Sequence, residues 1–134
     1  MNYLLDTNIC IYIIKQKPPQ VLERLQKLTV NQIGISVITL AELEYGVAKS
    51  SFPERNKMAL IQFLAPFEVL QFSQTAAAIY GRIRFDLEKK GQIIGSYDLL
   101  IGAQALSEKL TLVTNSEREF QRIPGISIEN WVIL

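Results

Sequence analysis

The stretch NYLLDTNICIYII, residues 2–14, holds the reading on which the fold turns. Residues 2–5 are apolar and end at Asp6, as a short buried strand would. The apolar residues of CIYIIK then suggest a helix, with Thr7 or Asn8 available to cap it. Asp6 stands at the junction of two apolar segments. An ionised side chain in such surroundings is costly to desolvate unless something positive meets it. Two more acids share this setting: Glu42 inside GISVITLAELEYG and Asp98 inside IIGSYDLLIGAQAL. None has a basic neighbour close in sequence. The economical reading is one acidic pocket that holds a divalent cation.

Outward from this opening, strand-like and helical segments alternate. Pro18-Pro19 break the chain before VLERLQKL, where Val21, Leu22, Leu25 and Leu28 recur at helical spacing. IGIS is a second short strand, and Ser36 or Thr39 begins a helix that runs to about Lys49. ERNKMALIQFLAPF is a further helix ended near Pro66, and EVLQF a third strand. A long amphipathic helix runs from about Gln74 to Lys90 and stops at Gly91. Ser96 caps the next helix, LTLVT is a fourth strand, and ISIENWVI carries a fifth. Short strands alternating with helices indicate parallel pairing. The expectation is therefore an α/β fold, a three-layer α/β/α sandwich around a short, mostly parallel sheet of about five strands. Ligands of such sheets gather at the carboxyl ends of the strands. Asp6 ends the first strand and Asn115 follows the fourth, so one edge can collect all three acids.

Composition narrows the chemistry. A chain of 134 residues has the length of one domain, and at about 150 residues a domain buries roughly 70% of its unfolded surface. Residues 1–134 are accordingly read as a single domain. Apolar runs are broken well short of the ~20 residues of a membrane span, which leads us to expect a cytoplasmic protein with no secretion signal and no membrane partner. There is no histidine, so imidazole bases, Ser-His-Asp triads and His-ligated zinc or iron are excluded. Cys10 is alone, which excludes internal disulfides and Cys-rich metal sites. Oxygen ligands select hard cations, so Mg²⁺ or Mn²⁺ is the expected ion. A net charge of +1 requires any basic surface to be local.

Four segments in order, LLDTN at 4–8, SVITLAELEYG at 36–46, GSYDLLIGAQAL at 95–106 and LVTNSEREF at 112–120, together resemble a PIN-domain ribonuclease of the VapC toxin type. The similarity extends to the closing RIPGISIENW at 122–131. It implies a metal-dependent endoribonuclease, the toxin of a bacterial toxin–antitoxin pair. It also implies a cognate antitoxin that holds the enzyme inactive, a homodimer, an RNA substrate, and contact with DNA only through the antitoxin. Position by position, Asp6 and Asp98 match the family's metal ligands, and Glu42 matches the glutamate of the second motif, as ligand or as proton acceptor. Asn115, Ser116 and Glu119 fall in the fourth motif. Many relatives carry an acid or a second amide where Ser116 stands, and Glu119 is the natural substitute. Thr7, Asn8, Thr114, Asn115 and Ser116 are candidates to orient the carboxylates. Arg82, Arg84, Lys89, Lys90 and Arg118 are candidates to guide RNA phosphates, and Tyr45 and Tyr97 to stack on unpaired bases.

Water activated at the cation would attack the phosphodiester, leaving 5′-phosphate and 3′-OH ends. Each acid also has a plain structural explanation. Thr39-x-x-Glu42 fits a capping box, Asp6 can cap the first helix, and Asp98 lies near a helix N-terminus that favours an anion. Cys10 and Trp131 read as packing residues. The antitoxin's groove is expected to be apolar, along the helices at 9–16 and 37–64. Two competitors stand beside the nuclease. A phosphatase of the haloacid-dehalogenase type needs a second aspartate at position 8, where Asn8 stands. A catalytically degenerate PIN domain would bind RNA or a partner without cutting, and Ser116 is the residue that speaks for it.

Overall fold

The structure, a computed structural model, describes residues 1–133. Five strands, β1 (Tyr3–Leu5), β2 (Ile33–Ser36), β3 (Glu68–Leu70), β4 (Thr111–Val113) and β5 (Ile128–Glu129), form one sheet. The order is β3-β2-β1-β4-β5 and every pair is parallel. Successive residues of a strand face opposite sides, and in β1 and β4 both sides are apolar. Leu4 and Leu112 pack into one core while Leu5 and Val113 pack into the other, all four without solvent exposure. A sheet buried on both faces needs a helical layer over each, which is why its strands read as apolar runs rather than as alternating ones.

The layers follow from the apolar stripes. Helices α1 (Thr7–Lys15), α2 (Pro19–Gln26), α3 (Val37–Lys49) and α4 (Pro53–Leu64) cover one face with Ile9, Cys10, Ile13, Val21, Leu43 and Leu60. Helices α5 (Gln74–Lys89), α6 (Ser96–Glu108) and α7 (Glu117–Phe120) cover the other with Ile83, Leu87, Leu99, Ile101, Ala105 and Phe120. Pro19 occupies the first turn of α2, where its missing N–H costs nothing. Gly91, at φ +67°, turns the chain after α5 as its position in the sequence foretold. The expected third and fourth strands are shorter than read, and only Ile128–Glu129 of ISIENWVI pairs. Trp131 instead folds under the edge, 4% exposed and edge-on to Tyr3 at 5.7 Å. Among the described residues, no helix is long and apolar enough to cross a membrane.

The structure decides among the helix starts that the sequence offered and moves one of them. Asp6 itself caps α1, its Oδ1 accepting from the Ile9 N–H at 2.9 Å, so neither Thr7 nor Asn8 does. Ser36 caps α3 directly from the end of β2, and Thr39 lies buried within the first turn. Gly95, not Ser96, is the cap of α6, with no side-chain hydrogen bond to the helix.

The chain first adds β2 and β3 on one side of β1, then crosses to place β4 and β5 on the other. The crevice at the carboxyl ends of β1 and β4 is therefore the point where strand order reverses, the place where open α/β sheets bind ligands.

Candidate active site

The crevice is built by adjacent strand ends. Leu5 is in register with Val113, so the next residues, Asp6 and Thr114, stand side by side. Both are buried, at 3% and 0% exposure. The Asp6 N–H donates to the Val113 carbonyl at 3.0 Å, which fixes the aspartate at the strand end. The Thr114 hydroxyl accepts from the Ser116 N–H at 2.8 Å, and Thr114 acts to lower the Asp6 carboxyl. Burial still raises the Asp6 carboxyl above its ordinary value, with Glu42 adding to the rise. Thr114 and the backbone amides of Ile9 and Asn8 oppose it.

Glu42 arrives from the second turn of α3, one turn beyond the position that a cap at Thr39 would give it. Its Oε1 accepts from the Thr7 hydroxyl at 2.6 Å, and that hydroxyl also lies 3.3 Å from the hydroxyl of Thr39. The carboxylate thus faces across to α1 and does not reach back to its own helix start. The capping-box reading fails because Ser36 already caps α3.

Asp98 comes from the first turn of α6 and Glu119 from α7. Burial, the adjacent Glu119 carboxyl in hydrogen-bonding range, and the charges of Asp6 and Glu42 together push Asp98 up to about 6. Four acids from four elements therefore sense one another. Among the described residues, the ion pairs of Arg24, Lys57 and Arg84 go to Glu129, Glu44 and Glu88, none of the four. No three Asp, Glu or Cys side chains among the described residues are drawn close enough to form a ready cage for a cation. The donor chemistry nonetheless fits a hard cation: all oxygen, anionic, and set at a strand edge with Asp6 already desolvated.

The other candidates divide. Thr7 and Thr114 touch the acids. Asn8 contributes its backbone amide, while its side chain is exposed. Asn115 is turned away, its Oδ1 accepting from Asn130 at 3.1 Å. Ser116 caps α7 and brings only its N–H to the site, through Thr114. Arg84 is held by Tyr80 and Glu88, and Lys89 lies over the Phe85 ring at 5.3 Å. Arg82, Lys90 and Arg118 are exposed. The sequence reading missed Lys15 and Lys49, which line the cavities that open beside Glu42. Lys49 stands at helical spacing from Glu42 on α3, a signal already present in the sequence.

Residues 3–126 match the family model of the PIN domain. Ribonuclease VapC2 of Rickettsia felis is 48% identical over 132 residues, covering 98% of each chain. The tRNA(fMet)-specific endonuclease VapC of Salmonella typhimurium is 47% identical over 131 residues, again 98% of each. The crystal structure of DNA-bound VapBC from Salmonella typhimurium superposes with a TM-score of 0.92 at 46% identity, over 98% of both chains.

Proposed function

The chain belongs to the PIN-domain family, in its VapC group, and from that premise we propose that it is a metal-dependent endoribonuclease, the toxin of a type II toxin–antitoxin pair. One observation carries the reading. Asp6, Glu42, Asp98 and Glu119 lie around the sheet's reversal point, unpaired with any lysine or arginine among the described residues, and burial with the other three acids pushes Asp98 up to about 6. Surplus negative charge of this kind has a use where a cation must be gripped. Glu119, beside Asp98, supplies the acid that Ser116 lacks, which favours the active enzyme over a degenerate one.

Phosphodiester hydrolysis needs a nucleophile at neutral pH and relief of charge at phosphorus. When bound, Mg²⁺ or Mn²⁺ supplies both, by neutralising phosphate oxygens and lowering the pKa of water. Asp6 and Asp98 would hold the ion, and Thr114, side by side with Asp6, would keep its carboxyl oriented. Thr7 occupies Glu42 Oε1 and leaves Oε2 to bind the ion or to take the proton of the attacking water. Glu119 completes the acidic set from α7. Because water attacks, not the ribose 2′-OH, the products carry 5′-phosphate and 3′-OH ends.

The relatives' names make initiator tRNA the first substrate to test. The VapBC complexes make a cognate antitoxin the expected partner and DNA an indirect one. An apolar groove of about 360 Å³, lined by Ile11, Ile14, Leu43, Val47 and Leu60, leads to Glu42 between α1, α3 and α4 and suits an antitoxin segment. We further infer a cytoplasmic homodimer in which residues 1–134 act as one domain.

The test is to incubate the purified protein with initiator tRNA and an unrelated RNA in Mg²⁺ or Mn²⁺ and to map the ends. EDTA and Asp6→Asn should each abolish cutting, and Glu119→Gln should weaken it. Cleavage that persists in EDTA would refute the metal mechanism. Unchanged kinetics and metal affinity in Glu119→Gln would remove Glu119 from the site.

A further inference from the structure

A second cavity, of about 560 Å³, opens on the other side of Glu42, between α1, α3 and the start of α6. That volume lies within the ~300–1,000 Å³ typical of small-ligand pockets. Its walls include Thr7, Asn8, Tyr45, Lys49 and Tyr97. Tyr45 is 66% exposed and Tyr97 60%, so neither ring is there to fill the core. Both stand next to the acids, Tyr45 one turn after Glu42 and Tyr97 immediately before Asp98. One face of Tyr45 is already taken, since the Lys49 ammonium lies 4.8 Å from its centroid. Glu42, Tyr45 and Lys49 follow one another at i, i+3 and i+7 along α3, so acid, ring and cation form a row about 10 Å long.

A strand of RNA needs this sequence of chemistries beside its scissile bond: a face for an unpaired base, then a positive charge for the next phosphate. We propose that this cavity seats the nucleotide adjacent to the cleaved phosphate, its base stacked on Tyr97, with Lys49, steadied over Tyr45, meeting the neighbouring phosphate. The inference rests on the endoribonuclease reading and names the subsite that grips the substrate. Stacking accepts any base, so it contributes grip without selecting sequence. The exposed Asn8 amide is the cavity's group suited to reading a base edge.

Fluorescence anisotropy with a decaadenylate and its fully abasic counterpart separates ring from charge. Binding is read in Ca²⁺, an oxygen-liganded ion, while cutting of tRNA by the unaltered protein in Mn²⁺ tests the underlying reading separately. Tyr97→Ala should weaken decaadenylate binding by about 5- to 100-fold and leave the abasic strand unaffected. Tyr97→Trp should restore binding. Lys49→Ala should weaken both strands alike and flatten the salt dependence. Melting temperatures report whether each variant is folded. Equal decaadenylate affinity in the wild type and Tyr97→Ala would overturn the proposal, as would equal losses on both strands or absence of decaadenylate binding by the wild type. Loss of antitoxin affinity alone would assign the cavity to a protein segment and overturn it equally.

Discussion

At Asp98 the folded chain keeps, between about pH 4 and 6, a proton that an ordinary carboxyl has already lost. Its value rises from 3.8 to about 6 through burial, the neighbouring Glu119 and the charges of Asp6 and Glu42. The folded state therefore binds more protons than the unfolded state between those values. The stability tied to this group is full below about pH 4 and is lost as pH rises through about 6. A two-unit shift corresponds to ~3 kcal/mol undiscounted, and at a half-buried carboxyl solvent screening reduces it to about 1 kcal/mol. In metal-free urea titrations, Asp98→Asn should be more stable than the wild type near neutral pH, with the difference closing as pH falls below 4. A variant less stable than the wild type at both ends of that range would contradict this account. The sequence exposed Asp6, Glu42 and Asp98 as acids in apolar surroundings. It did not expose the hydroxyl that Glu42 finds, because Thr7 and Glu42 lie 35 residues apart and meet only through α1 and α3.

The elements hold these residues in place by close approach. Gly102, buried in α6, lies against α7 and the turn after it. A Cβ there would stand 2.6 Å from Ile123 Cδ1 and 3.5 Å from the Phe120 ring. Ile123 is 1% exposed, so its methyl end has little room to swing. Overpacking a filled core costs about 1–3 kcal/mol. Gly102→Ala should lower the denaturation midpoint by an amount in that range and reduce cleavage beyond the loss of folded protein, because α7 carries Glu119. A variant as stable and as active as the wild type would show that α7 is not fixed by this contact. The alternation of strands and helices was legible from the apolar runs and from Pro19 and Gly91. Helix starts were less so, since Ser, Thr and Asp are equivalent cap residues in sequence. The capping choices at Asp6, Ser36 and Gly95 depend on where each strand delivers the chain.

For the whole molecule, the order β3-β2-β1-β4-β5 brings acids scattered along the sequence to one end of the sheet. Each acid follows or faces the carboxyl end of the sheet, where the reversal between β1 and β4 leaves a crevice. Fold class and parallel pairing were legible from the sequence, as was the strand end at which Asp6 stands. Which polar residues would turn inward was not: Asn115 pairs with Asn130, and Arg84 and Lys89 are held by their own helix. Local spacing carries no information on such distant or competing partners. The most direct measurement is a calorimetric titration of Mn²⁺ into chelator-treated protein, for the wild type, Asp6→Asn and Asp98→Asn. The account predicts saturable binding by the wild type and at least about tenfold weaker binding in each variant, as expected when a ligand or its support is lost. Equal Mn²⁺ affinity in all three proteins would contradict it.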